Sequence, residues 1–414
     1  MLAKQFIQMK KTKLLWIIAI ILYSFCTSPL LQAMEDAPML QPEEFAILPW
    51  GFTPANPDVL REIRECGFNL AGFVAPEHLD LVSEAGLKCI VSDGSTHVGD
   101  AEAQLDEKEI AQRVEALVKR VGEHKAVFGY FLNDEPGAKL YPGLKKWVEA
   151  YRKANPNVLA YINLFANYAS PEQMNVPTYA EYLESYVKTV QPRFISYDHY
   201  ALMDNGSLRD GYFQNLESVR AVSLRHNLPF WNTVLANAHN HYAEPTDAGL
   251  RFQLYTSLAY GTRGISYFTY FAPSAGNFRM APIDQFGHKT PIWDMLRNVN
   301  LQAHCLGTVY VKLRSVNVFH HPDVPQGCSG LQTSRFISEI NGGNLLVGEF
   351  EGPDGQPFVM VVNKSLHDSI TFHVKFKESG QVQQVNAYTC LIEPRKTKNV
   401  WLAPGQGILL CLKK

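Results

Sequence analysis

The chain has 414 residues, 38 basic against 40 acidic, and 46% of it is hydrophobic. That is an ordinary globular composition, long enough for one large domain and a smaller companion. The near-zero net charge gives no electrostatic reason to expect nucleic acid or an anionic membrane as a partner.

The chain opens with Lys10, Lys11 and Lys13 ahead of the apolar run LLWIIAIILYSF (14–25), followed by CTSPLLQA. The run is too short to span a bilayer comfortably, so the pattern reads as a secretory signal over 1–33, cleaved near Ala33. Cys26 would suit a lipid anchor, but the bulky Phe25 before it does not. The expected product is exported, periplasmic or secreted, and keeps no membrane span. Cys66, Cys89, Cys305, Cys328, Cys390 and Cys411 remain in it. They are scattered without metal-like spacing and are expected mostly as buried thiols.

From residue 44 short apolar runs alternate with amphipathic helical patterns. The runs are 44–54, 68–76, 87–93, 127–137, 158–167, 193–202, 228–238 and 263–271. Helical patterns follow each, at 57–66, 77–85, 107–124, 143–154, 179–190, 211–227, 248–261 and 291–305. Continuously apolar runs are the mark of parallel strands covered on both faces. Eight strand-then-helix units in roughly 265 residues predict a (β/α)8 barrel over 34–312. No Gly-rich phosphate loop follows the first run, which argues against a dinucleotide fold and its cofactor. After residue 312 short alternating runs, such as PFVMVVNKS (357–365) and ITFHVKF (370–376), are separated by turn residues such as GPDGQP (352–357). They predict a small antiparallel β-sandwich over 313–414.

Such barrels carry their active sites where the strands end. The strand ends here supply Trp50, Asp93, Asn133, Asp134, Glu135, Asn163, Asn167, Tyr197, Asp198, His199, Tyr200, Trp231, Asn232, Asn237, His239, Tyr267 and Tyr270. Carboxylates and amides that can hold hydroxyls, flat rings and more than one acid suit a carbohydrate substrate. Aromatic residues make up 12% of the chain, enough to supply such platforms. Strand alternation puts Asn133 and Glu135 on one face and Asp134 on the other unless a bulge intervenes. A carboxyl in an apolar mouth favours its neutral form, as a general acid must. No Gly-x-Ser-x-Gly is present to support a serine nucleophile. His239 and His241, with no third ligand, make a weak metal pair, so no metal is expected. His320 and His321 follow the barrel and are expected at the surface. The sequons at Asn205 and Asn363 place those segments at the surface as well.

A fourth strand ending in Asn…Glu, aromatic strand ends, the passage TSLAYGTRGISYFTYF (256–271) and an appended sandwich resemble the clan A retaining glycoside hydrolases, such as the family 42 β-galactosidases. The resemblance implies Glu135 as acid/base and Asn133 as a partner of the sugar ring. It departs at two points. Asp134 separates Asn133 from Glu135, and the seventh strand has no acid where the family places its nucleophile. Three readings stay open. Asp198 is the second carboxylate. Or the mechanism is substrate-assisted, since Asp134 and Glu135 with Tyr200 and Trp231 resemble the N-acetylhexosaminidases that use the substrate's acetamido group. Or the barrel binds glycans without cleaving them. Selectivity is expected in the loops 168–178 and 236–246.

Overall fold

The computed structural model describes residues 39–395 and 400–413; the expected export signal lies outside them. Eight parallel strands form the first domain: β1 (Ala46–Pro49), β2 (Leu70–Val74), β3 (Lys88–Val91), β4 (Val127–Asp134), β5 (Leu159–Leu164), β6 (Ile195–Asp198), β7 (Phe230–Leu235) and β8 (Gly264–Phe268). Each is followed by helix: α1 (Pro57–Glu65), α2 (Leu79–Glu84), α3 (Glu107–Val121), α4 (Tyr141–Ala154), the short α5 (Pro171–Met174) with α6 (Tyr179–Val190), α7 (Tyr212–His226), α8 (Asp247–Tyr260) and α9 (Pro291–Tyr310). Several helices begin on side-chain caps; Thr178 and Glu181 form a reciprocal capping box on α6. Strands pair in chain order, and β1 pairs with β8. The ring closes just beyond β1, where Phe73 N–H donates to Gly51 O at 2.8 Å and Thr53 N–H donates to Phe73 O at 3.0 Å. This is the (β/α)8 barrel expected from the alternation.

Inward side chains fill the barrel. Phe128 and Trp231 stack with centroids 5.9 Å apart, and Phe194 lies 4.7 Å from Trp231. They make a floor near the strands' N-terminal ends. Gly264 makes room for it, since a Cβ there would stand 2.7 Å from the Trp231 ring. Outward side chains such as Tyr130, Leu132, Ile162, Tyr197 and Val234 pack under the helices.

The C-terminal domain is a two-sheet sandwich. Its six-stranded sheet runs β15 (Ile392–Pro394), β14 (Gln381–Val385), β17 (Gly407–Lys413), β12 (Pro357–Asn363), β11 (Leu345–Glu351), β9 (Arg314–His321). A three-stranded sheet, β10 (Ile337–Gly342), β13 (Ile370–Phe376) and β16 (Val400–Leu402), covers one face. Period-two alternation splits the large sheet between two cores. Leu345, Val347, Val359, Val361, Leu410 and Leu412 face the small sheet. Leu346, Phe350, Met360, Val362, Leu409 and Cys411 join the barrel core. The contact with α8 is close enough that a Cβ at Gly348 would stand 2.0 Å from Ala259 O.

Not all six cysteines are thiols. Cys305 of α9 is bonded to Cys390 beside β14, tying barrel to sandwich, while Cys66, Cys89 and Cys411 are buried and free. His320 is also not at the surface. It is fully buried where the domains meet, between the Tyr260 hydroxyl at 3.0 Å and Lys364 Nζ at 3.2 Å. No helix among the described residues is long and apolar enough to cross a membrane. A bridge closing an 85-residue separation limits the unfolded chain, so Cys390→Ser should cost about 2–4 kcal/mol in chemical denaturation. An unchanged midpoint would show that sheet burial alone holds the domains together.

Candidate active site

The end of β4 is irregular, and the irregularity sets the site. The β4–β5 register shifts between Phe131 and Asn133, so that Phe131 pairs with Tyr161, Asn133 with Ile162 and Asp134 with Asn163. The extra residue is a bulge, which turns the following side chains over. Asn133 therefore shares the outward face of Ile162, and its amide donates to Val98 O at 2.7 Å. The expectation that Asn133 faces a sugar is corrected. Asp134 instead shares the inward face of Asn163, whose amide donates to Asp134 Oδ1 at 3.2 Å. Behind it, the Ser196 hydroxyl donates to Asn163 Oδ1 at 2.9 Å and lies 3.1 Å from the Tyr161 hydroxyl. Asp134 thus stands at the mouth on a polar floor.

Glu135 adopts φ 50°, a left-handed conformation unusual for glutamate. Its N–H donates to Asn163 O at 2.8 Å. The turn brings its carboxyl back beside Asp134 and within hydrogen-bonding reach of Asp198. Asp198 ends β6, is only 4% exposed, and also meets the Tyr200 hydroxyl. Three carboxyl groups therefore share one mouth.

Their protonation follows from burial. Asp134 opens to solvent, yet protein surrounds its carboxyl on most sides; that desolvation raises it to about 6, against the pull of the Asn163 amide. Desolvation, then the Asp134 charge, push Glu135 up to about 7, and the hydrogen bond with Asp198 opposes them. Asp198 is held well above the carboxylate range by its burial and by the charges of Glu135 and Asp134. Such a cluster titrates as a unit.

Aromatic rings wall the mouth. Tyr200 stacks on Phe268 at 5.5 Å, and Trp50 lies 5.5 Å from Phe268 and 5.1 Å from Phe73. Phe52, 68% exposed, extends the rim beyond β1. From the end of β7, Asn237 donates to Thr269 Oγ1 at 2.8 Å and meets His239 Nδ1 at 3.1 Å. No acid stands there; Glu244, farther along, pairs with Arg279. His199 is buried behind Tyr168, with Nδ1 3.0 Å from Asn215 Oδ1. Desolvation lowers it to about 4, so it is neutral.

Four further expected residues lie elsewhere. Trp231 is in the barrel floor, because it is the second residue of β7 and not near its end. Tyr197 points outward under the helices. Tyr270 packs on Phe68 and accepts from Trp293 Nε1 at 2.8 Å. Asp93 is turned to Ser95 and Arg120. His239 and His241 do not form a metal pair: His239 is spent on Asn237, and His241 is exposed opposite Asp204. Tyr168 and Tyr242 come from the two loops singled out for selectivity, whereas Arg209, on the loop after β6, carried no sequence signal.

The chain is a closed parallel (β/α)8 barrel with acids and rings at the C-terminal mouth, and similar folds occur among solved structures. No protein-family model matches the chain, nor does any curated protein. Among solved structures, a family 5 glycoside hydrolase from Bacteroides vulgatus is similar with TM-score 0.57 and 12% identity, over 89% of this chain and 88% of that one. A catalytic mutant of a family 42 β-galactosidase from G. stearothermophilus is similar with TM-score 0.56 and 8% identity, over 90% of this chain and 98% of that one. A β-galactosidase from the psychrophilic Marinomonas ef1 is matched over 57% of its length and 61% of this chain, at 12% identity and TM-score 0.46. Identities this low establish the fold alone.

The raised carboxyl at Glu135 has a consequence for stability. Its folded value of about 7 exceeds the ordinary 4.5, so the stability it contributes is present below the ordinary value and is lost as pH rises through about 7. Glu135→Gln removes that loss. Its melting temperature should match the native protein near pH 3.5 and exceed it by about 1–3 °C near pH 8. A difference that does not grow with pH would contradict this.

Proposed function

We propose that the protein is a glycoside hydrolase acting on a 2-acetamido-2-deoxy sugar, with the substrate's acetamido group as nucleophile. The observation that carries this reading is the placement of Asp134 and Glu135 together on one strand end, with no acid facing them from β7. Displacement at a sugar carbon by protein carboxyls needs them on opposite sides of the ring, about 5–5.5 Å apart for retention and about 6.5–9.5 Å for inversion. Asp198 is only 4% exposed and lies on the same side as Glu135, with which it interacts electrostatically, so in this reading it does not supply the opposite side.

In the proposed reaction the Glu135 carboxyl donates its proton to the glycosidic oxygen as the bond from C1 to that oxygen breaks. The acetamido carbonyl oxygen forms a bond to C1, and the Asp134 carboxylate accepts the acetamido N–H, stabilising the positive charge that develops. Glu135, now ionised, takes a proton from the water that attacks C1 and reopens the ring. Asp198 acts as a positioning residue: it keeps its own proton and donates to Glu135 while Glu135 is ionised. Trp50, Tyr200 and Phe268 offer faces to the sugar. The N-terminal export pattern and the Cys305–Cys390 bridge support a location outside the cytoplasm.

A panel of aryl glycosides tests the reading. Hydrolysis is expected for 2-acetamido-2-deoxy glycosides and not for their 2-hydroxy counterparts; equal rates on both would require a protein nucleophile and overturn it. Glu135→Gln should lower kcat by about 10²–10⁴-fold. Asp134→Asn should lower it by about 10²–10³-fold. Asp134 must be ionised and Glu135 protonated, so activity should fall as pH drops through about 6 and as it rises through about 7. Asp198→Ala removes the hydrogen bond that lowers Glu135, so the alkaline limb should move above about 7. A limb that stays in place would remove Asp198 from the mechanism.

A further inference from the structure

Beside the mouth lies an open pocket of about 830 Å³, lined by Tyr168, Arg209 and Tyr242 among others. The Arg209 guanidinium lies over the Tyr168 ring, 3.6 Å from its centroid, and Nη1 donates to the Tyr242 hydroxyl. Two rings thus fix its plane. Its Nε and Nη2 edge makes no hydrogen bond among the described residues. No carboxylate there forms an ion pair with it, including Asp210, which follows it in the chain and lines the same pocket. Nearby basic side chains have acidic partners: His241 faces Asp204 at 3.8 Å, and Arg279 pairs with Glu244 at 3.3 Å. Arg209 therefore presents a fixed, uncompensated fork of donors to a space large enough for a sugar.

Its two tyrosine walls pack against residues that directly follow Asp198. The Tyr168 ring stands edge-on to His199 at 5.0 Å, and the Tyr242 ring edge-on to Tyr200 at 5.5 Å.

We infer that the substrate is an acidic glycan, in which a carboxylate or sulfate on the sugar next to the one cleaved is received by Arg209. The inference rests on the reading of the mouth as a glycan site. A planar guanidinium with a free edge matches the paired oxygens of either group, which a lysine ammonium or an amide would not.

Isothermal titration calorimetry of the wild-type protein with monosaccharides tests the inference without requiring hydrolysis. The probes are D-glucuronate, D-galacturonate and galactose 6-sulfate against glucose and galactose. At least one anionic probe should bind about ten-fold or more tightly than its neutral counterpart. The uronate and sulfate arms distinguish the two anions. Arg209→Gln should abolish the preference while leaving affinity for the neutral sugars and the melting temperature unchanged; Arg209→Lys should retain only part of it. Equal affinity for charged and neutral probes, no binding by any anionic probe, or a preference that survives in Arg209→Gln would overturn the inference. Failure of the hydrolase reading looks different: no aryl glycoside is cleaved, yet the anion preference remains.

Discussion

Strand alternation allows a barrel strand to present only every second side chain to the mouth. The bulge in β4 breaks that rule at the point where it matters, and the rest of the site follows from it. With regular pairing Asp134 would face the helices, and Asn133 would occupy the mouth. The left-handed turn at Glu135 then adds a second acid within one residue of the first. Such a conformation costs a non-glycine residue about 1–3 kcal/mol and persists only where its surroundings enforce it. Here the Glu135 N–H is held by Asn163 O, and the Tyr182 hydroxyl donates to Pro136 O at 2.7 Å. The strain sits at the group that would transfer the proton.

Gathering carboxyl groups sets an electrostatic problem that the fold answers by unequal burial. Asp198 is deepest and farthest from exposure to water, Glu135 is intermediate, and Asp134 opens outward. Burial raises all three, and neighbouring charges and hydrogen bonds set them apart. The polar chain from Asn163 through Ser196 to Tyr161 supplies donors beneath Asp134, where a wholly apolar floor would leave its charge unmet. The neutral His199 adds no compensating charge.

The barrel was legible because parallel strands covered on both faces are apolar throughout, and the periodicity between them is helical. Glu135, Asp134 and Asp198 were legible because strand ends are short and acids in them are conspicuous. Which face each would take was not. A bulge is one extra residue in a pairing register, and register is decided by two strands together; nothing within 127–137 alone reveals it. Trp231 misled for a related reason, since its depth depends on where β7 begins and not on its residue type. His320 looked like a surface residue because the pairing of β9 with the barrel helices is a contact between distant segments. Arg209 was invisible for the same reason: its meaning comes from Tyr168 and Tyr242, 41 and 33 residues away in the chain.

The central strands of the large sheet, β11, β12 and β17, are buried on both faces, which bears on how the chain can be divided. A module that packs beside its neighbour through a polar seam can be removed, exchanged or folded alone. These strands have no face of their own to show to water, because one side completes the sandwich and the other completes the barrel. Cutting after α9 would strip α8 of its cover and leave Leu346, Phe350, Met360 and Leu409 without a partner surface. The two architectures therefore share one core, and the appended sheet is a wall of that core that happens to be encoded last.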